Sequence, residues 1–214
     1  MPVRKITNKG SKKKIGFFPS EKNGRSIAWE SLVERDYMYL LEFDHGVRSF
    51  CEQPLSIKYA YEGRTYRYTP DIKIVRNNKV TEIVEVKPKT KLVKLLDDEK
   101  FKRKLLVANT FCIQKGYRFK VVTDEDIRKG NLLRNIKLLF KFSRMVVPSA
   151  DFLKIRNELM VNGTQTIESL THVLAEDGIN QKRIRAMIFS LLYSQKLMLN
   201  LLDKVSIYSY IRLP

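Results

Sequence analysis

Residues 68–87, YTPDIKIVRNNKVTEIVEVK, constrain the fold more than any other stretch of the chain. Apolar and charged residues alternate on both sides of Arg76-Asn77-Asn78-Lys79, a pattern that predicts two antiparallel strands joined by a tight turn. A three-residue loop at Asn77-Asn78-Lys79 pairs Arg76 with Val80 and, counting outward, Asp71 with Glu85. Side chains alternate between faces along a strand, and directly opposed residues share a face. Asp71, Glu85 and Lys87 then lie on one face, while Ile72, Ile74, Val84 and Val86 fill the other. A two-residue loop would separate the two acids, and the apolar set favours the first register.

Two opposed carboxylates repel unless positive charge lies between them, and burying an unpaired charge costs several kcal/mol. Lys87 can supply part of that charge, and a divalent cation supplies it better. Mg²⁺ is bound by one or two carboxylates together with water and substrate phosphates. In phosphodiester hydrolysis such an ion polarises the phosphate, activates the attacking water and stabilises the leaving oxygen. A neighbouring lysine can orient the water or neutralise developing charge. The plainer alternative is a solvent-facing Asp–Lys–Glu cluster, worth about 0–1 kcal/mol per pair. Spacing alone does not choose between them, because D-x13-ExK arises easily in a chain with 30% charged residues.

The charge of the whole chain points toward a polyanion. Its 214 residues carry a net charge of +18, spread unevenly: +7 over residues 1–26, +3 over 27–126 and +8 over 127–214. Basic ends around a near-neutral centre suit nucleic acid, whose phosphates favour multiple lysine and arginine contacts. No apolar run reaches the roughly 18 residues of a membrane helix, no basic amphipathic anchor stands out, and MPVRKITNKGSKKK lacks the apolar core of a signal peptide. Two cysteines, Cys51 and Cys112, with only two histidines, make neither a zinc site nor a disulfide framework; small buried hydrophobes in a reducing cytoplasm are expected.

The order of elements implies three parts. Residues 1–26 form a basic N-terminal arm, with Lys12, Lys13 and Lys14 as a clamp on a DNA backbone or a solvated tail. Residues 27–126 form a mixed α/β domain: a helix over 27–44, a β-meander through SIKYAYEGRTYRYTPDIKIV, the hairpin, a helix over 97–115 and a strand at 118–123. Residues 127–214 are mainly helical, with TIESLTHVLAED (166–177) and QKRIRAMIFSLLYSQK (181–196) as a helix-turn-helix. Two short strands around Asp203-Lys204 complete a winged-helix pattern, with a plain three-helix domain as the alternative.

A helical glutamate at 34, Pro70-Asp71 on a strand and Glu85-Val86-Lys87 on the next resemble the PD-(D/E)xK nuclease signature. The stretches GFFPSEKNGR (16–25), ESLVERDYMYLLEFD (30–44), SFCEQPLSI (49–57), YTPDIKI (68–74) and VEVKPK (84–89) together resemble the TnsA endonucleases of heteromeric cut-and-paste transposons. The resemblance implies a restriction-endonuclease-like core, a mixed sheet flanked by helices, followed by the winged-helix domain. It also implies catalytic residues at Glu34, Asp71, Glu85 and Lys87. The implied metal ligands are Glu34, Asp71, Glu85 and the backbone carbonyl of Val86, holding one or two Mg²⁺ ions, with Mn²⁺ as a substitute. Some family members carry glutamine at the position of Glu85. Glu30, one turn before Glu34, is its main rival. Ser31 to Glu34 also fits a capping box, in which the glutamate merely serves a helix N-terminus; an apolar stripe beginning at Trp29 places the helix start upstream of that cap.

The same resemblance implies hydrolysis of the non-transferred strand at the 5′ ends of a transposon. The partners implied are double-stranded DNA at the transposon ends, a DDE transposase (TnsB-like), and an AAA+ ATPase regulator (TnsC-like) met through the C-terminal region. The setting implied is a bacterial cytoplasm, acting at the nucleoid. Lys89, Lys91 and Lys94 are candidate phosphate contacts near the scissile bond. Lys182, Arg183 and Arg185 open the second helix of the helix-turn-helix, where DNA or a protein could be met. Tyr59, Tyr61, Tyr66 and Tyr68 fit cross-strand or core packing better than base stacking. The competing functions are a stand-alone restriction- or resolvase-like nuclease and a catalytically silent DNA-binding adaptor.

Overall fold

The computed structural model describes residues 14–176 and 178–214, which fall into two compact units divided between Ile127 and Arg128. Lys12 and Lys13 lie outside the described residues, and Lys14 is exposed.

The first unit opens with an antiparallel hairpin, β1 (Gly16–Ser20) and β2 (Arg25–Trp29). The expected arm over 1–26 is therefore corrected from Gly16 onward: Phe18 is 1% exposed and Ile27 fully buried. The hairpin is fastened by Glu42, whose carboxylate accepts from the Ser20 hydroxyl at 2.6 Å and from the backbone N–H groups of Glu21 and Lys22 at 2.9 and 3.0 Å. Arg25 adds a two-pronged bond to buried Glu52 at 2.9 and 2.6 Å. A buried carboxylate satisfied in this way fixes geometry, because its unpaired alternative is costly.

Helix α1 (Leu32–Phe43) begins five residues later than expected. Trp29 belongs to β2, and Ser31 is the N-cap, its hydroxyl accepting from the Glu34 N–H at 3.2 Å. The apolar residues at 27–29 belong to a strand, so their periodicity did not mark the start of the helix. Val33, Tyr37, Met38 and Leu41 form the buried face of α1.

Strand β3 (Val47–Glu52) follows, then a separate two-stranded ribbon of β4 (Ile57–Tyr61) and β5 (Arg64–Tyr68). This ribbon turns at Glu62-Gly63, both at positive φ (47° and 71°), the backbone of a tight hairpin turn. The expected meander is thus divided, since the ribbon shares no ladder with the strands that follow. Strands β6 (Ile72–Arg76) and β7 (Thr81–Lys87) pair in the expected register, with Ile72 opposite Val84 and Val75 opposite Thr81. The Arg76 N–H donates to the Val80 carbonyl at 2.9 Å, closing the loop.

Two helices come next, α2 (Lys89–Leu95) and α3 (Glu99–Gln114). Asp98 caps α3 by accepting from the Lys100 N–H at 2.8 Å, and Gly116 at φ 66° turns the chain beyond its end. Strand β8 (Arg118–Thr123) pairs parallel to β7 and leads into the short α4 (Asp124–Ile127). The central sheet is mixed, in the order β3-β6-β7-β8. Ile72, Ile74, Ile83, Val84 and Val86 are almost wholly buried in it. Cys112 is fully buried and Cys51 half-buried, both as free thiols.

The second unit contains α5 (Leu132–Phe140), α6 (Ser149–Asn162), β9 (Gln165–Thr166), α7 (Ile167–Ala175), α8 (Gln181–Tyr193) and β10 (Tyr210–Ile211). β9 pairs antiparallel with β10, and Met198 bridges Arg212. Leu139, Ile155, Ile167, Leu170, Ile184 and Ile188 share one core. Buried Asn135 ties the C-terminal loop to α5 through the carbonyls of Leu201 (2.8 Å) and Asp203 (2.6 Å) and the N–H of Val205 (3.2 Å). No helix among the described residues is long and apolar enough to cross a membrane.

Because Phe18 is enclosed, Phe18→Ala is expected to destabilise the protein by about 3–5 kcal/mol. Chemical denaturation measures this, and a loss below a few tenths of that figure would return residues 16–26 to an arm.

Candidate active site

The site is assembled at the end of the β6–β7 hairpin remote from its turn. Asp71 immediately precedes β6, Glu85 and Lys87 lie on β7, and the register sets the two acids opposite each other. Lys87 Nζ stands between them, 3.1 Å from Asp71 Oδ2 and 2.6 Å from Glu85 Oε1. It also donates to the Val86 carbonyl at 3.2 Å. The ammonium is thus held by two carboxylates and one backbone oxygen, and the Val86 N–H secures Asp71 Oδ2 from the other strand at 2.8 Å.

These bonds set the charge states. Burial works to discharge Lys87, but Asp71 and Glu85 together hold its ammonium above the usual lysine range. Burial, and next the Asp71 charge, push the Glu85 carboxyl upward; Lys87 and the Tyr68 hydroxyl oppose that push. The Tyr68 hydroxyl donates to Glu85 Oε2 at 2.6 Å. Tyr68 is 5% exposed and shares an apolar cluster with Ile57 and Ala108, so the packing of α3 against the ribbon fixes the orientation of a site carboxylate. Burial, and next Glu85, raise its phenol well above the usual range, keeping it a donor. Sequence reasoning treated Tyr68 as a packing residue; its position three residues before Asp71 was the available signal.

Glu34 stands differently. Its Oε2 accepts from the Glu30 N–H at 2.9 Å and its Oε1 from the Ser31 hydroxyl at 2.8 Å. The capping box that the sequence reading set aside is formed, with the carboxylate reaching one residue further upstream than the usual pattern. Burial first, and the nearby Asp71 charge second, push the Glu34 carboxyl up to about 7, against those two hydrogen bonds. Glu34 therefore feels the site electrostatically while its oxygens serve the helix N-terminus.

Glu30, its rival, lines the cavity of about 460 Å³ that also contains Asp71, Glu85 and Lys87, whereas Glu34 does not line it. Gln53 is a further residue that sequence reasoning passed over. It sits at φ 40°, its N–H donates to the Asp71 carbonyl at 2.8 Å, and its side-chain amide donates to Glu30 Oε1 at 2.9 Å. The left-handed backbone that aims Gln53 into the site has no signature in a residue that is not glycine.

The basic candidates divide. Lys91 lines the same cavity, Lys94 is exposed on α2, and Lys89 is exposed with its N–H given to Asp124 at 2.7 Å. Lys182 is exposed at the start of α8; Arg183 lies 3.6 Å from Asp151, and the Nε of Arg185 is buried.

Among the described residues no group of three His, Cys, Asp or Glu side chains is gathered closely enough to hold a metal ion. The donor chemistry nevertheless suits a hard cation: Asp71, Glu85 and the Val86 carbonyl already surround a positive charge, the ammonium of Lys87. The first unit supplies the deciding comparison. Residues 44–124 match the family model described as TnsA-like endonuclease N terminal. Over that stretch the first unit is similar to TnsA-like endonuclease N-terminal domains. The match runs from the end of α1 through β8 and includes Asp71, Glu85 and Lys87, while Glu30 and Glu34 precede it. Among curated proteins, none matches the chain.

The raised pKa of Glu34 carries a sign. A carboxyl whose folded pKa exceeds its unfolded value adds stability below the unfolded value, and that stability is lost as pH rises through about 7. Glu34→Gln mimics the protonated form. The melting temperature of the variant minus that of the wild type, measured in EDTA, is expected to rise between pH 5 and pH 8. A flat difference would show that Glu34 is not desolvated.

Proposed function

We propose that the chain is the metal-dependent endonuclease subunit of a TnsA-like transposase, cutting the non-transferred strand at the 5′ ends of the element. The observation that carries this reading is the cage around Lys87 Nζ, formed by Asp71, Glu85 and the Val86 carbonyl inside a domain that matches the TnsA-like family. Asp71, Glu85 and the Val86 carbonyl would hold Mg²⁺, or Mn²⁺ in its place, with Glu34 as the further acid. The ion would supply an activated water and charge compensation at the phosphate.

Within that scheme the residues divide the work by charge. Lys87, kept protonated by its two acids, neutralises charge that grows on the phosphate oxygens, which favours an electrostatic role over that of a base. Tyr68 keeps one oxygen of Glu85 occupied, so that the other faces Lys87. The remaining assignments rest on the family likeness: a DDE transposase recognises the ends and cuts the other strand, and an AAA+ regulator meets the C-terminal unit. The order of α6, β9, α7, α8 and the Met198–Arg212 bridge is compatible with a winged helix there.

Asp71→Ala is expected to abolish 5′-end nicking in the assembled reaction, and Lys87→Ala to slow it about 10²–10³-fold. EDTA is expected to stop the wild-type reaction and added Mg²⁺ to restore it. Nicking retained by both variants would sink the site assignment. Tyr68→Phe keeps the ring and loses the donor, so it is expected to weaken Mn²⁺ binding about 10–100-fold, as read by calorimetric titration with the fold checked by circular dichroism. Unchanged affinity would reduce Tyr68 to packing.

A further inference from the structure

A second cavity of about 460 Å³ lies against the candidate active site, and the two share Arg67 and Lys104 in their walls. Arg67 is on β5 and Lys104 on α3, so two separate elements deliver cations to the junction. The second cavity is floored by the β4–β5 ribbon, whose Tyr59 and Tyr66 rings stack at 5.6 Å.

The charges around it are unequally satisfied. Its acids are already engaged: Glu99 is paired with Lys102 at 2.7 Å, and Glu62 with the Tyr61 hydroxyl. Arg103 lies over the Tyr61 ring. Arg67, Lys100 and Lys104 have neither a side-chain hydrogen bond nor an ion pair among the described residues. Elsewhere in this unit, cations near acids are spent on them, as with Arg25 and Glu52, Arg76 and Glu82, and Lys120 and Glu82. The ribbon register adds a second strain. It sets Lys58 directly opposite Arg67, two cations on one face of an exposed hairpin. Like charges in that relation are destabilising unless an anion lies with them.

We propose that Arg67 and Lys104 bind backbone phosphates of the DNA strand on the run of duplex that leaves the active-site cavity across the β4–β5 ribbon. This deepens the nuclease reading and rests on it, by adding a contact surface next to the reacting centre. Phosphate contacts fix register without reading sequence, which suits a subunit that takes its specificity from elsewhere. Arginine grips a phosphate through two parallel N–H bonds, and lysine as a point charge.

The test is duplex binding without divalent ions, so that no strand is cut. The full chain is titrated into a short fluorescein-labelled DNA duplex at several salt concentrations, following anisotropy. Each phosphate contact contributes about 0.9 to the slope of log K against log salt. Arg67→Gln with Lys104→Gln is therefore expected to flatten that slope by about 1.8, two contacts at that value each. Lys79→Gln, in the turn at the opposite end of the β6–β7 hairpin, is expected to leave the slope as it is. A double variant with the wild-type slope overturns the assignment, as does an equal loss in Lys79→Gln, or a wild-type chain that does not bind duplex. The nuclease reading is judged separately, by the nicking of Asp71→Ala, so a clamp that fails while Asp71→Ala still loses nicking leaves that reading standing.

Discussion

The ion triad of Asp71, Lys87 and Glu85 is the interaction on which the rest of the first unit depends. A lysine two residues beyond a glutamate on a buried strand has to find its counter-charges locally, since moving either group into the core unpaired costs several kcal/mol. The β6–β7 register supplies them by setting Asp71 opposite Glu85. The parallel strand β8 then covers β7 along its other edge, so the triad cannot relax by fraying of the strand that carries two of its members. Shifting the ladder by one residue would move Ile72, Ile74 and Val84 to the face that carries the three charges. One register therefore both buries those side chains and brings the charges together.

That coupling explains what could be read in the sequence. The turn Asn77-Asn78-Lys79, the alternation on both sides of it and the apolar set were enough to fix the ladder residue by residue, because period-two patterns leave only two choices of face. The α3 helix and β8 were equally plain, with Asp98 and Gly116 marking the ends of the helix. The N-terminal hairpin was not. Its strands are five residues each and its turn is polar, so Lys- and Gly-rich composition outweighed a short apolar signal. What holds it is Glu42, twenty residues away, and no local pattern announces a carboxylate that accepts from two backbone N–H groups and a hydroxyl.

The same error moved the start of α1. Counting Trp29 into a helical stripe placed the helix start upstream of Ser31 and made the Ser31–Glu34 cap look redundant. With the strand ended at Trp29, Ser31 becomes the first residue whose side chain can satisfy the helix N-terminus, and Glu34 the natural partner. Local capping chemistry was the better guide there than periodicity, since a strand and a helix can share an apolar run for a few residues.

Glu34 then connects local and site-level constraints. Its two oxygens are fixed by Glu30 and Ser31, so its orientation is set by the helix start. Its carboxyl lies at about 7, held there chiefly by burial and by the charge of Asp71. A group poised near neutrality responds strongly to any change of nearby charge. A cation added beside Asp71 and Glu85 would favour the ionised form of Glu34, and by linkage the ionised form would favour the cation. The helix cap, which alone would be a matter of stability, is thereby tied to the charge state of the site. The match to the TnsA-like domain begins ten residues beyond Glu34. The electrostatic tie between Glu34 and Asp71 joins the start of α1 to the charge cluster inside the matched stretch.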